Sequence, residues 1–248
     1  MKLRKMIGII PCRYQSTRFP GKPLADIGDK PMMWHVYQQA QQASELEDVY
    51  IATDDFRIEA TCKQLDIKVL MTGKAHQTGT DRVAECARIL DAEAVVNIQG
   101  DEPFIDPESI NKVARALKQA DSTVFATNGY SRIEDPAAVA SPNVVKVVLS
   151  VTGLALAYSR APIPYPLRKE PVYLRQLGLY AFRRDALEAF TSRAQGPLEQ
   201  VESVEMLRFV EYGNAVQMVE VTESGIAVDT PEDLRLANQY YEDQGKAD

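Results

Sequence analysis

The sequence predicts an α/β fold with a mostly parallel central sheet, and three features predict it. Short apolar runs of strand length alternate with stretches of helical period from residue 6 to residue 127, the pattern of a parallel sheet covered by helices on both faces. The alternation then breaks: Val144–Leu149 and Ala155–Tyr158 flank the turn residues Thr152-Gly153 and read as a hairpin. With 248 residues, 45% of them hydrophobic, the chain can bury one full core, so a single domain over 1–248 with a small β-rich insertion is expected.

Met6–Ile10 is an apolar, β-branched run that reads as a buried first strand, and it empties into a loop, Pro11–Leu24. Pro31–Ser44 follows as a helix with Pro31 in its first turn. Val49–Thr53 is a second strand, Phe56–Leu65 a helix, and Val69–Thr72 a third strand. The helix that runs to about Leu90 begins behind His76–Arg82, with Thr78 or Thr80 available as N-cap. Ala94–Ile98 is almost wholly apolar and leads into Gly100-Asp101. Asp106–Ala120 returns as a helix and Thr123–Thr127 as a strand. Ser159–Pro166 is too rich in proline for a helix or a central strand and reads as an extended connection. Gln176–Phe182 is a strand, Arg184–Phe190 a helix, Glu199–Tyr212 one longer helix, and Gln217–Val221 a strand. A helix from Pro231 to about Glu242 closes the chain, capped by Asp229 or Thr230.

A net charge of -7 repels nucleic acid and anionic membranes, so neither is an expected partner and the basic loop must be a local site. Cys12, Cys62 and Cys86 are spaced for neither a disulfide framework nor a zinc site and fit a reducing cytoplasm. No stretch supplies the roughly 20 apolar residues of a membrane span, and the N-terminus lacks a signal peptide's apolar region and cleavage site.

Ligands on such sheets bind beyond the carboxyl ends of the strands. There the Pro11–Leu24 loop carries Arg13, Arg18 and Lys22 with Ser16, Thr17 and Gly21 between them. Small residues let backbone N–H groups approach an anion while the cations neutralise it, so a polyphosphate is the natural guest. Gly100 leaves Asp101 uncrowded at the sheet edge, where a carboxylate could hold a hard cation bridging phosphates or simply close a turn. Asp229 is either a helix cap or a second carboxylate for the same cation, and Thr78 and Gly79 either cap a helix or hold part of a nucleotide. His35, beside Trp34 on a helix face, reads as packing. Neither G-x-G-x-x-G after the first strand nor G-x-x-x-x-G-K-[ST] occurs, which removes the main support for a dinucleotide dehydrogenase or a Walker-type ATPase. A G-x-S-x-G elbow and an H-E-x-x-H helix are also missing.

Taken together, Pro11-x-Arg13-Tyr14-x-Ser16-Thr17-Arg18-x-Pro20-Gly21-Lys22-Pro23-Leu24, Ala52–Asp55, His76–Arg82, Asn97–Pro103, Ser159–Pro164 and Val228–Leu234 resemble, in order and over essentially the whole chain, the 3-deoxy-manno-octulosonate (Kdo) cytidylyltransferases. The resemblance implies a Rossmann-like three-layer sandwich, a dimerisation and acceptor-covering insertion at about 143–182, and a cytoplasmic homodimer. It also implies Mg²⁺ as cofactor, with CTP and a sugar acid converted to the CMP-sugar and pyrophosphate for lipopolysaccharide or capsule synthesis. On matching positions, Arg13, Ser16 and Lys22 would hold the triphosphate, and Thr78 and Gly79 would lie near the cytidine. Gln99 would contact sugar or nucleotide, Asp101 and Asp229 would hold Mg²⁺, and Arg82, Arg160, Tyr180 and Glu205 would surround the acceptor. Lys22, Arg13, Asp101 and Asp229 would form the catalytic set.

Two positions depart from that family. Gln176 stands where a histidine is usual and Met206 where a glutamine is usual, and the resemblance implies that both places face the sugar. Such exchanges alter the polar partners offered to the acceptor and leave the triphosphate set intact. An acceptor bearing an ammonium, the 8-amino analogue of Kdo, would gain from the loss of an imidazolium and from Glu205; unchanged Kdo specificity is the competing expectation. Other readings are a sialic-acid CMP synthetase, a uridylyltransferase, or a non-catalytic nucleotide-binding protein of the same fold. The joint presence of Lys22, Asp101 and Asp229 disfavours the last.

Overall fold

The computed structural model describes residues 3, 5–76, 78–222 and 226–244; Gln77, within one of the motifs above, lies outside them. β1 (Met6–Pro11) leads through the loop, a 3₁₀ turn (Lys22–Leu24) and a small hairpin, β2 (Asp26–Ile27) and β3 (Lys30–Pro31), into α1 (Met32–Gln41). β4 (Asp48–Thr53), α2 (Phe56–Gln64), β5 (Val69–Met71), α3 (Gly79–Ile89), β6 (Ala94–Asn97), α4 (Pro107–Gln119) and β7 (Val124–Arg132) continue the alternation. After α5 (Pro136–Ala140) comes the expected hairpin, β8 (Lys146–Leu149) and β9 (Ala155–Ser159), turned at Gly153 with φ of 79°. β10 (Leu174–Arg183), α6 (Arg184–Ser192), α7 (Pro197–Glu202), α8 (Met206–Glu211), β11 (Ala215–Glu220) and α9 (Pro231–Gln244) complete the chain.

The main sheet runs β11-β7-β10-β6-β1-β4-β5. β6, β1, β4 and β5 are mutually parallel, as are β7 and β11, and only β10 runs against its neighbours on this path. β8 joins through Lys146 opposite Arg175 at the start of β10, so the hairpin hangs from one end of a central strand. Side chains alternate across the strands into two cores. One, with Met33, Val36, Ile58, Ile110 and Val113, packs under α1, α2 and α4; the other, with Val83, Leu187 and Phe209, packs under α3, α6 and α8. The α/β sandwich expected from the sequence is therefore present, with helices on both faces.

The single helix expected over Glu199–Tyr212 is instead α7 and α8, broken at Ser203, which takes the left-handed conformation with φ of 52°. The polar residues inside the apolar spacing cause the break, because they bond to other elements. Glu202 accepts from the Ser159 hydroxyl at 2.6 Å and the Arg160 N–H at 2.8 Å, while Glu205 accepts from the Thr80 hydroxyl. Arg208 then joins the two short helices by a bidentate, buried pair with Glu199 at 2.7 and 2.6 Å. Removing one partner of such a pair typically costs about 3–5 kcal/mol.

At the other edge, α9 docks on the β2–β3 hairpin. Asn238 donates to the Asp26 carbonyl at 3.1 Å and accepts from the Gly28 N–H at 2.9 Å. Gly28 has φ of 61°, and a Cβ there would come within 2.5 Å of the Tyr241 ring, so glycine is required on both counts. His35 is buried between Trp34 and Tyr241 with Nε2 2.8 Å from the Ile27 carbonyl, in agreement with its packing role. This docking fixes where the chain entering α9 must pass. Among the described residues no helix is long and apolar enough to cross a membrane.

Candidate active site

The loop after β1 is closed by its own backbone. Gly21, with φ of 75°, donates to the Tyr14 carbonyl at 2.8 Å, and its own carbonyl receives the Leu24 N–H at 2.8 Å. A Cβ on Gly21 would sit 3.3 Å from the Tyr14 ring. Ser16 accepts from the Phe19 N–H at 3.2 Å. Outside the loop, Arg57 is held in one plane by Asp55 at 2.9 and 2.7 Å and lies 3.2 Å above the Tyr14 ring, a cation–π brace that the sequence did not reveal.

Inside the loop's mouth four charged groups meet. Lys22 Nζ lies 2.8 Å from Asp101 Oδ2 and 3.1 Å from Asp229 Oδ1, and Arg18 reaches Asp229 at 3.1 Å. Burial alone would lower the Lys22 pKa, but the two carboxylates outweigh it and hold the ammonium above the usual lysine value. A Cβ on Gly100 would stand 3.0 Å from the Pro11 carbonyl, so glycine lets the end of β6 press on the end of β1 and brings Asp101 to the loop. Asp229 arrives from the far end of the chain, where Val228 N–H donates to the Asp101 carbonyl at 2.9 Å. The ambiguity between Asp229 and Thr230 is resolved. Thr230 Oγ1 caps α9 by accepting from the Asp233 N–H at 3.2 Å, and the Asp233 carboxylate accepts from the Thr230 and Asp229 N–H groups at 2.8 and 3.0 Å. The Asp229 carboxylate is thereby left to face Lys22.

Two carboxylates converging on one cation are hard oxygen donors, and among the described residues no cluster of three or more His, Cys, Asp or Glu could hold a metal. That donor set fits Mg²⁺, which keeps several waters and is commonly held by one or two carboxylates plus substrate phosphates. A cleft of about 420 Å³ joins Arg13, Ser16 and Lys22 to Gly79, Gln99 and Asp101. Thr78 caps α3, accepting from the Asp81 N–H at 3.1 Å while Asp81 returns the bond, and Gly79 opens that helix at the cleft.

Beside this cleft, Gln176 Nε2 donates to the Tyr180 hydroxyl at 2.6 Å. Burial, then the charges of Glu205, Glu102 and Asp101, push the Tyr180 hydroxyl well above its ordinary pKa. Arg82 has no exposed side-chain surface; it donates to the Thr72 hydroxyl and lies 3.0 Å from Asp54, a charge contact rather than an aligned hydrogen bond. It lines a second cavity of about 300 Å³ that also reaches Arg13 and His76. The structure thus brings Lys22, Asp101, Asp229 and Gln99 together, with Tyr180, Gln176 and Glu205 adjoining. Arg160 and Met206 are engaged by other contacts. The Arg160 guanidinium is taken up by the carbonyls of Glu202 at 2.6 Å and Pro142 at 2.7 Å, and Met206 is 2% exposed in the core with Leu207 and Phe209.

Burial raises the Glu205 carboxyl above its ordinary pKa even though Thr80 donates to it. Such a group holds a proton in the folded chain that the unfolded chain has already released, so it lowers stability as pH rises from the ordinary carboxyl range through the folded value. Glu205→Gln keeps an acceptor for Thr80 and removes the charge. Urea unfolding should place the variant's midpoint above the parent's near pH 7.5, with the two coinciding near pH 4. Equal shifts at both pH values would contradict the raised carboxyl.

Comparison with known proteins agrees with this geometry. A family model described as "Cytidylyltransferase" matches residues 7–220. The 3-deoxy-manno-octulosonate cytidylyltransferase of Solibacter usitatus is 43% identical over 240 residues, covering 96% of this chain and 95% of its own length. The enzyme of the same name from Escherichia coli is 39% identical over 230 residues, covering 92% and 93%. A solved structure of CMP:2-keto-3-deoxy-manno-octonic acid synthetase complexed with CTP superposes with a TM-score of 0.93 at 37% identity, covering 97% of this chain and 100% of that one. With the cationic loop, the paired carboxylates and the sheet order all accounted for, the chain belongs to the cytidylyltransferase family, among the 3-deoxy-manno-octulosonate cytidylyltransferases.

Proposed function

We propose that the chain transfers CMP from CTP to a 3-deoxy-octulosonic acid, releasing pyrophosphate. The observation that carries this reading is the bridging of Asp101 and Asp229 by Lys22 at the mouth of a loop bearing two further cations. The anomeric hydroxyl loses its proton to solvent as it attacks the α-phosphorus, a new P–O bond forms, and the bond from the α-phosphorus to the oxygen it shares with the β-phosphate breaks with its electrons left on pyrophosphate. Charge grows on that leaving group, and Lys22 and Arg13, which line the cleft, would neutralise it. Ser16 and the start of α3 at Thr78-Gly79 would position the nucleotide, and Gln99 would orient the reacting groups. Asp101 and Asp229 would hold Mg²⁺, which when bound supplies Lewis-acid neutralisation of phosphate charge.

A second reading concerns the acceptor. The carboxylates of Asp101, Glu102 and Glu205 act together on Tyr180, and its hydroxyl partner is the neutral Gln176. That acidic surrounding favours an acceptor carrying an ammonium, the 8-amino analogue of Kdo, over Kdo itself. Met206, buried in the core, lends this reading no support.

Val151, Leu156, Tyr165, Leu167 and Val172 are all more than half exposed on one stretch of the chain, which supports a homodimer through the insertion. Sedimentation equilibrium should give twice the chain mass, falling to the monomer in Tyr165→Asp/Leu167→Asp; a monomeric parent would end that reading. The buried, free thiols of Cys12, Cys62 and Cys86 suit a cytoplasmic enzyme. The product suits lipopolysaccharide or capsule assembly, and a deletion strain retaining all acid-containing surface glycan would argue against that role.

Pyrophosphate release decides the reaction. With Mg²⁺, release should require CTP, fail with UTP, and require one of the two acids. Lys22→Ala should lower kcat/KM by on the order of 10²-fold. Preference for the 8-amino analogue selects the second reading and preference for Kdo the first. CTP binding without release on either acid would refute the transferase assignment.

A further inference from the structure

We propose that Asn128, which stands outside the triphosphate cleft, is a positioning residue for the acceptor side of the site. It holds the widened bulge of β10 on which Gln176, Gly178 and Tyr180 are presented. The inference rests on the reading of that side as an acceptor-binding surface.

The bulge is visible in the register. Gln176 pairs with Tyr130 and Tyr180 with Asn128, so residues 177–179 of β10 face the single residue Gly129 of β7. In a regular strand, residues four apart are separated by about 13 Å, and residues two apart by about 7 Å. Pairing across a two-residue interval of β7 draws Gln176 and Tyr180 towards the shorter span, and Gln176 Nε2 comes within 2.6 Å of the Tyr180 hydroxyl. The same bulge lays Gly178 against the residue that precedes Gly100-Asp101. A Cβ on Gly178 would stand 2.5 Å from Gln99 Cγ.

A bulge takes carbonyl groups out of the ladder, and buried carbonyls need donors. The Asn128 amide supplies them. Fully buried, its Nδ2 lies 2.9 Å from the Leu177 carbonyl, 3.1 Å from that of Leu179 and 3.2 Å from that of Gly129. Its Oδ1 accepts from the Tyr158 hydroxyl of β9 at 3.3 Å, so the donor end is fixed towards the bulge. Gly129 completes the arrangement, since a Cβ there would meet Val221 Cγ2 at 3.2 Å. An aspartate at 128 would offer the bulge no donor and would set a carboxylate against its carbonyls.

The ordinary alternative is that Asn128 merely satisfies a buried bulge and matters to stability alone. The two differ in what they do to the substrates, because the triphosphate cleft is built on β1, β6 and α3 and not on β10. Steady-state kinetics and calorimetric CTP binding on Asn128→Ala and Asn128→Asp separate them. Positioning predicts a KM for the sugar acid raised about tenfold, with the KM and Kd for CTP within about twofold of the parent. An unchanged acid KM, or equal changes for acid and CTP, would overturn it. Tyr158→Phe leaves Asn128 in place and removes the hydroxyl that fixes its amide. Should both Asn128 variants fail to fold, an acid-selective rise in KM in Tyr158→Phe supports the proposal and an equal or absent effect overturns it. Parental pyrophosphate release distinguishes the two failures: without it the acceptor reading falls and the proposal with it, whereas with it only the positioning role is at stake.

Discussion

The ammonium of Lys22 ties together three parts of the chain that are far apart in sequence: the loop after β1, the end of β6 and the approach to α9. Much of the surrounding structure exists to bring them there. The left-handed turn at Gly21 directs Lys22 inward, the bare Cα of Gly100 lets Asp101 reach the loop, and Thr230 takes the capping duty that would otherwise occupy Asp229. The docking of α9 through Asn238 and Tyr241 sets the last of the three. Because Asp229 is 43% exposed, its share of the attraction is screened, and the more sheltered Lys22–Asp101 contact is the stronger tether.

The site is divided by charge. A chain of net charge -7 places Arg13, Arg18 and Lys22 on one loop, so the field that attracts a polyphosphate is local. On the β10 side the groups acting on Tyr180 are carboxylates, and the hydroxyl there is kept neutral by burial and by those charges. The two halves meet at Asp101, which pairs with Lys22 and also acts on Tyr180. The hydrogen-bonded junction of Glu202, Ser159 and Arg160 anchors the β8–β9 hairpin to the break between α7 and α8, and Glu205 carries that connection on to Thr80 at the start of α3.

What the sequence discloses is what short-range chemistry determines. An apolar run ending in Gly-Asp, and three cations framed by prolines, are local patterns, and both lie where expected. Pairing across the chain is not local. Whether Asp229 or Thr230 caps α9 depends on Asp233 and Lys22, and the break at Ser203 depends on partners at Ser159, Arg160 and Thr80. The strand expected over Thr123–Thr127 runs on to Arg132, because Asn128-Gly129, ordinarily a turn signal, serves here to accommodate a bulge in the neighbouring strand. A motif also fixes a position without fixing a direction: Arg160 and Met206 occupy their matched places, yet one is bound to carbonyls and the other is buried in the core.

The most direct test of the account is calorimetric titration of CTP into the parent protein and Asp229→Asn, each with Mg²⁺ and with EDTA. If Asp101 and Asp229 form the cation half of a metal–triphosphate site, Mg²⁺ should tighten CTP binding by about tenfold or more in the parent, and the variant should lose most of that gain while its EDTA affinity stays close to the parent's. Equal CTP affinity with and without the metal, or the full gain retained in Asp229→Asn, would contradict the central place given to these carboxylates.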